Sequence, residues 1–390
     1  MVSSSISPSS PTANSTTAFG ELAVQQIIPQ VQIHFPYNLN TEIINTTTSG
    51  SGSVTHSGQF AVISSGAATS SGSALFSNRY LEYHPGIGAL CRFTAIFDTA
   101  VSGNTQIAGC VNATDGFFFG YNGTTFGILR RSGSSDNWIA QTSWNIDKMD
   151  GTGPSKMTLD TTKGNVFQIQ FQWLGFGSIT FSLENQYSGQ LIPVHRISYS
   201  NQNTSTSINN PSLPFQAESL NTTNNTDILL KVPSIGMFIQ GQISTTSFTR
   251  HAINNGKSIT TETNILTIRN KSTYQSKTNA VQIQPDFISL AADGTKNVTF
   301  KFYINASLGG SPSYTDISTN TSVVDYDVAG TTVSGGILVA SVNVGKVNDK
   351  DLLFSDYNFI LSPGSTFTIS ATSANTNDVT AGVSWQERFS

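Results

Sequence analysis

Charged side chains and cysteines are both scarce in this sequence, and each shortage narrows what the protein can be. Charged residues make up 11% of the 390-residue chain, against roughly 25% in an average globular domain. The 2 cysteines, Cys91 and Cys110, are too few for a disulfide framework or a structural zinc site. Both lie in apolar, strand-like surroundings, which predicts buried free thiols.

Basic clusters, export signals and membrane-spanning runs are also missing. The net charge is −4 and the longest basic run is the pair Arg130 and Arg131, so direct binding of nucleic acid by phosphate neutralisation is not expected. Residues 1–18 are rich in Ser, Thr and Pro, without a basic segment or an apolar core, which indicates a flexible arm and not a signal peptide. No apolar run approaches the roughly 20 residues that span a bilayer, so no membrane span is expected.

The chain does have ample apolar material and a regular alternation. Hydrophobic residues make up 37%, including 24 Phe, which disfavours disorder despite the many Ser, Thr, Asn and Gly residues. In residues 167–185, large apolar side chains alternate with Gln, Ser and Thr, a pattern that predicts strands with one buried and one polar face. The alternating apolar residues are Phe167, Ile169, Phe171, Trp173, Ile179, Phe181 and Leu183.

Residues 19–242 read as strands separated by turn clusters, without strand–helix alternation. This predicts an all-β fold whose first domain is a jelly-roll-like antiparallel β-sandwich. The dipeptide Asn122-Gly123 is the strongest hairpin signal, because both residues suit positive φ. Residues 199–227 are polar, and we expect a long exposed excursion there, with one inserted strand as an option.

The last third of the chain predicts a second β domain. Residues 243–278 are polar and weakly patterned, which suggests a linker or docking segment. Residues 279–390 alternate again and predict a second, smaller β-sandwich. Its core faces should include Val298, Phe300, Phe302, Ile304, Val379, Ala381, Val383 and Trp385.

The sequence gives little support for a metal site or a cofactor site. Asp147 and Asp150 lie in a loop that resembles a calcium loop but lacks its alternating oxygen ligands and closing Glu. Asp325 and Asp327 would share a strand face, where solvated carboxylates are the favoured interpretation. We expect no cofactor and no metal site, because no two histidines have metal-ligand spacing. The histidines are His34, His56, His84, His195 and His251.

Carbohydrate chemistry stays open on two grounds. Glycan hydrolysis needs two carboxylates across a groove, and the spacing of the acids nearest the aromatic residues singles out no pair, so no catalytic residue is predicted. Those acids are Asp98, Asp115, Asp136 and Glu184. Trp138 and Trp144 flank a polar loop and are the candidate glycan-binding residues, because exposed aromatic rings stack on sugars. Packing in the core is the competing and favoured interpretation of both.

Three segments carry a family resemblance. Residues 79–133 and 150–185 resemble a module of β-rich virion structural proteins from tailed phages and large double-stranded DNA viruses. Residues 334–387 are similar to the sandwich that often accompanies it. The resemblance covers most of residues 19–390 and implies a capsid-associated, fibre or tail component of a virion, made in the host cytoplasm. It transfers no catalytic residue.

The resemblance and the low charge favour a non-enzymatic virion structural protein that acts through protein–protein assembly, as a minor capsid, penton, decoration, fibre or tail component. The expected partners are copies of itself, with a trimer as the first expectation, and other virion proteins such as the major capsid protein. The alternative is a fibre or adhesin that binds host-surface glycans. A glycan depolymerase is the weaker alternative.

Overall fold

The protein is described here by a computed structural model. The residues that it describes are 26–242, 247–354, 357 and 360–389. The arm expected at residues 1–18 therefore lies outside the described residues. The chain divides into two compact units, of which the first comprises Met1–Ser77 and Tyr83–Ile243 and the second Asn78–Glu82 and Ser244–Ser390. The described residues contain antiparallel sheets and no α-helix, which confirms the predicted all-β, sandwich-like fold.

The first unit contains long strands joined by turns and one short 3-10 turn at Gln141–Ser143. Its strands are β1 (Ile27–His34), β2 (Ile44–Ser49), β3 (Ser53–Ser57), β4 (Phe60–Ser64), β5 (Gly72–Leu81), β6 (Gly88–Ala95), β7 (Asn104–Val111), β8 (Gly116–Asn122), β9 (Thr125–Ser132), β10 (Ser135–Ala140), β11 (Asn165–Phe171), β12 (Ile179–Glu184), β13 (Leu191–Ile197), β14 (Leu213–Asn221), β15 (Leu229–Val232) and β16 (Ser234–Gln240). The last residues of β5, from Asn78 onward, are grouped with the second unit.

Two large sheets make up most of the first unit. Sheet A has the strand order β1–β16–β6–β11–β12–β13, and sheet B has the order β10–β9–β8–β7–β14–β5–β2. A smaller sheet has the order β15–β4–β3. In each of these orders, pairs of consecutive strands occur together with pairs that are distant in sequence, such as β1–β16 and β7–β14, so each sheet depends in part on long-range pairing.

Phenylalanine rings from both large sheets form the core between them. Phe167 of β11 stacks on Phe93 of β6 with ring centroids 5.4 Å apart. It also contacts Phe119 of β8, in the other sheet, at 4.9 Å. Phe117 of β8 contacts Phe171 of β11 at 5.2 Å. Each buried Phe contributes roughly 1.5–3 kcal/mol by burial, so the aromatic residues decide which face of each sheet turns inward.

The predicted alternation in residues 167–185 is confirmed. Strands β11 and β12 pair with Phe167 opposite Leu183 and Phe171 opposite Ile179, and all four side chains are buried. The two cysteines are also buried free thiols, as predicted.

The predicted hairpin at Asn122-Gly123 exists, but its turn begins one residue later. Asn122 of β8 pairs with Thr125 of β9, which leaves Gly123 and Thr124 as the loop. Gly123 has φ +61°, a conformation that glycine adopts without steric cost.

The second unit is a separate arrangement of strands. Its strands are β17 (Ser247–Ile259), β18 (Thr263–Asn270), β19 (Thr273–Tyr274), β20 (Lys277–Thr278), β21 (Gln282–Gly294), β22 (Val298–Ile304), β23 (Ser307–Leu308), β24 (Thr315–Asp316), β25 (Val324–Asp327), β26 (Val333–Ser334), β27 (Ile337–Val344), β28 (Asn348–Leu353), β29 (Thr366–Ser373) and β30 (Asn377–Arg388). Sheet C has the order β17–β30–β21–β28, and sheet D has the order β24–β25–β18–β29–β22–β27.

The core faces predicted for the second domain are confirmed, although Ile304 is less buried than the other residues. Val298, Phe300 and Phe302 are fully buried in one cluster, and Ile304 packs against that cluster half-buried. The alternating set at the end of the chain is buried in the same cluster, namely Val379, Ala381, Val383 and Trp385.

The linker expected at residues 243–278 is corrected for the described residues, because β17 to β20 lie there. β17 is an edge strand of sheet C, so much of it faces solvent and its sequence is polar. β18 lies inside sheet D, yet it buries Asn264, Thr267 and Asn270. These side chains satisfy each other and their neighbours through hydrogen bonds, such as Thr267 to Thr368 at 2.9 Å, so a buried strand carries a polar sequence.

The inserted strand considered for residues 199–227 exists, but it is mostly buried, so the expectation of an exposed excursion is corrected for this strand. It is β14, which lies between β7 and β5 of sheet B. The polar residues on both sides of this strand conceal it in the sequence.

Candidate functional site

Strand β8 defines which side chains of sheet B face away from the core. Phe117 and Phe119 contact rings of sheet A. Phe118 points in the opposite direction, because successive side chains on a strand alternate between faces. We call the face that carries Phe118 the outer face of sheet B.

Strand pairing extends this outer face in both directions from Phe118. Phe118 lies opposite Leu129 of β9, which lies opposite Trp138 of β10. On the other side, Phe118 lies opposite Gly109 of β7, which lies opposite Gln216 of β14. The five residues form one row across five strands. Gly109, which has no side chain, lies between Phe118 and Gln216 in this row.

Three residues of this row belong to an apolar platform on the same face. Ile107, Val111, Phe118 and Leu129 form a separate buried cluster, and Trp138 packs against it half-buried. The rings of Phe118 and Trp138 meet edge to face at 6.0 Å. We call these five residues the platform. The outer face of sheet B therefore carries its own small apolar cluster, distinct from the core between the sheets.

A cleft of about 360 Å³ lies on the same face. Its lining residues are Phe76, Ala113, Arg131, Ser134, Asp136, Gln216 and Glu218. Arg131 donates two hydrogen bonds to the carboxylate of Asp136, at 2.7 and 3.1 Å. The guanidinium also lies 5.3 Å from the centroid of the Phe118 ring, so Arg131 connects the cleft to the platform.

Gln216 holds the most unusual group in the cleft. Its Nε2 donates to Oε2 of Glu218 at 2.8 Å, but its buried Oε1 accepts no hydrogen bond from the described residues. Gln216 is only 3% exposed. An unpaired buried acceptor costs roughly 1–3 kcal/mol, so Gln216, a residue that lines the cleft, holds an unused hydrogen-bond acceptor.

Burial raises the pKa of Glu218 above its ordinary value. The charge of Arg131 and the hydrogen bond from Gln216 oppose this rise, and the charge of Asp136 reinforces it. Burial dominates because a carboxylate loses its hydration when it is removed from water. The cleft thus combines an amide oxygen, a carboxyl group of raised pKa and a paired Arg–Asp.

The structure separates the two tryptophans that the sequence analysis grouped. Trp144 is 2% exposed and its ring contacts Phe119 at 6.2 Å. Packing in the core, the interpretation favoured from the sequence, therefore describes Trp144, and its ring is not exposed for stacking on a sugar. Trp138 lies in the platform on the outer face, half-buried, and keeps part of its surface available.

Only one of the four acids singled out from the sequence lines the cleft, namely Asp136. Asp115 is buried and accepts hydrogen bonds from the backbone N–H groups of Gly133 and Asn209. Asp98 accepts one from the N–H of Leu229. Glu184 ends β12 in sheet A. These acids have local structural roles and do not converge on a groove.

The carboxylates considered for cations are likewise used by the backbone. Asp147 accepts hydrogen bonds from the N–H groups of Met149 and Ser155, and Asp150 accepts one from Thr152. Within the described parts of the chain, no group of three His, Cys, Asp or Glu side chains could hold a metal ion.

Asp325 and Asp327 do lie on one strand, β25, but with different partners. Asp325 pairs with Arg269 at 2.6 Å, and Asp327 accepts hydrogen bonds from Asn264 and from the N–H of Gly330. Among the histidines, His195 is buried, which lowers its pKa, and its Nδ1 accepts the N–H of Asn145.

Sequence reasoning missed Gln216 and Glu218. Their signal was the alternation in β14, where Phe215, Ala217 and Ser219 are fully buried and the residues between them face the other way. The Asn- and Thr-rich segments on both sides of this strand hide it in the sequence.

The outer face of sheet A is different in composition. It bears a cleft of about 590 Å³ whose lining contains Gln, Ser and Thr side chains, one Arg and no carboxylate. Gln170 donates to Gln240 at 3.1 Å, across Gly88, where a Cβ would lie 2.3 Å from the Gln240 oxygen. Arg92 donates two hydrogen bonds to Gln168, at 3.1 and 2.7 Å. Gln168, Gln170 and Gln240 on this face are therefore each hydrogen-bonded to a neighbouring side chain.

No protein-family model matches the chain, and no curated protein matches it. Among the solved structures that are similar over about half of it are the following three. "Cellulose induced protein, Cip1" is 14% identical with a TM-score of 0.36, over 53% of this chain and 96% of that chain. Arcelin-5, a lectin-like defense protein from Phaseolus vulgaris, is 10% identical with a TM-score of 0.35, over 55% and 99%.

The third is a glycoside hydrolase family protein from Mycobacterium thermorestibile, which is 10% identical with a TM-score of 0.38, over 54% of this chain and 100% of that chain. Similarity at this level assigns no function to the chain. The resemblance to virion structural proteins stays a prediction. Among the described residues, no helix has the length and apolar character to cross a membrane.

Proposed function

We propose that the protein is a non-enzymatic glycan-binding protein and that the cleft on the outer face of sheet B is its binding site. The observation that carries this proposal is the buried, unpaired Oε1 of Gln216 in a cleft beside an aromatic platform. A ligand hydroxyl would supply the missing donor.

The chemistry of the cleft suits a sugar. A pyranose presents hydroxyl groups around its edge and C–H groups on its faces, so it needs polar partners next to an aromatic surface. Gln216, Glu218 and Ser134 are such polar partners. Trp138 offers a half-buried ring on the same face.

Binding accounts for this cleft better than hydrolysis does. A glycosidase needs two carboxyl groups placed on either side of the scissile bond. Glu218 has a raised pKa, as a general acid would, but Asp136 is held by two hydrogen bonds from Arg131. Both oxygens of that carboxylate are hydrogen-bonded to the guanidinium, so the geometry does not present Asp136 as the second carboxyl group of a hydrolase.

An array of immobilised oligosaccharides, followed by calorimetric titration of the tightest binder, tests the proposal. Gln216→Met keeps the volume but removes the acceptor, and it should weaken binding about tenfold or more. Gln170→Met is the matched control on the outer face of sheet A and should leave affinity unchanged. Equal affinity for the two variants, or an array without any binding, would contradict the proposal. Shortened oligosaccharides detected by mass spectrometry would contradict its non-enzymatic part.

We further propose that the protein is a virion component, on the separate observation of the outer face of sheet A. Uncharged amides and hydroxyls cost less to bury against a neighbouring protein than Lys or Glu, and the cleft on that face contains no carboxylate. This role is compatible with glycan binding through sheet B. Proteomic analysis of purified particles tests it, and the absence of the chain from such particles would contradict it.

A further inference from the structure

Strand β27 of the second unit is an edge strand with an unused side. It ends the strand order of sheet D and pairs with β22 alone. Residues 337–344 make no further backbone hydrogen bond with another described residue. A row of N–H and C=O groups at a sheet edge is a template for one more strand.

Edge strands in this protein are usually protected, and β27 is less so. β28 carries Asp349, Lys350 and Asp351, which discourage pairing. β1 and β13 contain a proline and a shift in register. By contrast, no charged residue occurs between Asp327 and Lys346. β27 does contain a register shift near Val339, but Ala340 to Val344 pair regularly with β22.

Exposed apolar side chains also concentrate in this part of the sequence, and two of them, Ile337 and Leu338, lie on β27 itself. Of the 12 large hydrophobic residues that are exposed in the described chain, five lie between positions 337 and 357. They are Ile337, Leu338, Val347, Leu353 and Tyr357. Clustered exposed apolar surface marks an interaction site more often than scattered residues do.

We propose that β27 pairs antiparallel with β27 of a second copy of this chain, so that sheet D continues across a two-fold axis. The absence of charge between Asp327 and Lys346 favours this occupant, because a second copy brings the same uncharged strand to the edge. A two-fold axis at Val342 places Ser341 opposite Asn343 of the second copy, and Lys346 opposite Leu338 of the second copy. No like charges face each other, so self-pairing meets no electrostatic penalty.

This inference does not depend on glycan binding, which concerns the first unit. It predicts a dimer, whereas the trimer expected from the sequence stays a prediction that the same measurement tests. Ser341 and Asn343 are exposed, so substitutions there change the edge without changing the core.

Sedimentation velocity of the full-length protein over a range of concentrations tests the pairing. The wild type should show a species of twice the monomer mass. The double variant S341K/N343K places lysines opposite each other across the axis and should weaken the dimer about tenfold. S341K/N343E changes the same two positions but places opposite charges together, so it should dimerise at least as well as the wild type.

Three results would overturn the proposal. The first is a wild type that is monomeric at every concentration or forms a trimer. The second is an S341K/N343K variant that dimerises as strongly as the wild type. The third is an S341K/N343E variant whose dimer is weakened as much as that of S341K/N343K. Circular dichroism of each variant shows that a lost dimer reflects the edge and not a lost fold.

Discussion

The outer faces of sheets A and B belong to the same sandwich and follow the same period of two. They differ in how their side-chain amides are hydrogen-bonded. On sheet A, Gln168 and Gln170 are each hydrogen-bonded to a neighbouring side chain. On sheet B, Gln216 buries an oxygen that has no partner, and an apolar platform lies next to it. A face whose groups satisfy each other needs no ligand. On a face with an unpaired buried acceptor, a ligand that donates a hydrogen bond to this acceptor would stabilise the protein.

The largest difference between the faces should appear on removing Phe118 from the platform. Phe118→Ala should lower the free energy of unfolding of the first unit by about 3–5 kcal/mol, because the side chain is fully buried. Gln170→Ala on sheet A should change it by less than about 1 kcal/mol. Urea unfolding followed by tryptophan fluorescence measures both. Equal losses for the two variants would show that the platform is not a packed cluster.

A smaller effect, opposite in sign on the two faces, should follow from removing the amides. Gln216→Met/Glu218→Met removes the unpaired acceptor with its hydrogen-bonded neighbour and should raise the unfolding free energy by about 1 kcal/mol, while abolishing glycan binding. Gln168→Met should lower it by roughly 0.5–1 kcal/mol, since Arg92 loses its acceptor. The same urea titrations measure this, and a destabilised double variant would contradict the cost assigned to Gln216.

The pH dependence of stability should also differ between the two faces, because Glu218 on sheet B has a raised pKa. Burial raises the pKa of Glu218 in the folded protein above its ordinary value of 4.5. The stability that its protonated form contributes is therefore complete below that value and is lost as the pH rises through the folded-state pKa. Glu218→Gln should gain stability relative to the wild type as the pH increases from about 4.5. Gln170→Met, which removes no titrating group, should differ from the wild type by a constant amount.

The smallest effect should come from the Arg131–Asp136 pair at the rim of the cleft. Asp136 is 37% exposed, so Asp136→Asn should lower stability by only about 0.5 kcal/mol or less. Added salt should weaken the wild type toward the variant. Thermal unfolding at low and high ionic strength checks this, and a loss of several kcal/mol would mean that the pair is structurally essential.

The sequence predicted the strands better than it predicted the site. The alternation of Phe167, Ile169 and Phe171 is a local property, and it identified both a strand and its buried face. The cleft joins Phe76, Arg131 and Glu218, whose proximity depends on the order of strands in sheet B. No local pattern reports that order.

The same limit explains the two tryptophans and the expected linker. Trp138 and Trp144 lie six positions apart in similar polar surroundings, and only the strand register separates the platform from the core. β18 can have a polar sequence because its side chains are hydrogen-bonded inside the second unit, as Thr267 is to Asn264. A hydrophobic pattern cannot detect such a strand.

The most direct test of the account is a crystal structure of the protein with the oligosaccharide that it binds most tightly. We expect a sugar in the cleft on the outer face of sheet B, with one hydroxyl about 2.7–3.0 Å from Oε1 of Gln216 and a ring face toward Trp138. A sugar bound on sheet A or in the second unit, with the Gln216 oxygen still unpaired, would contradict it.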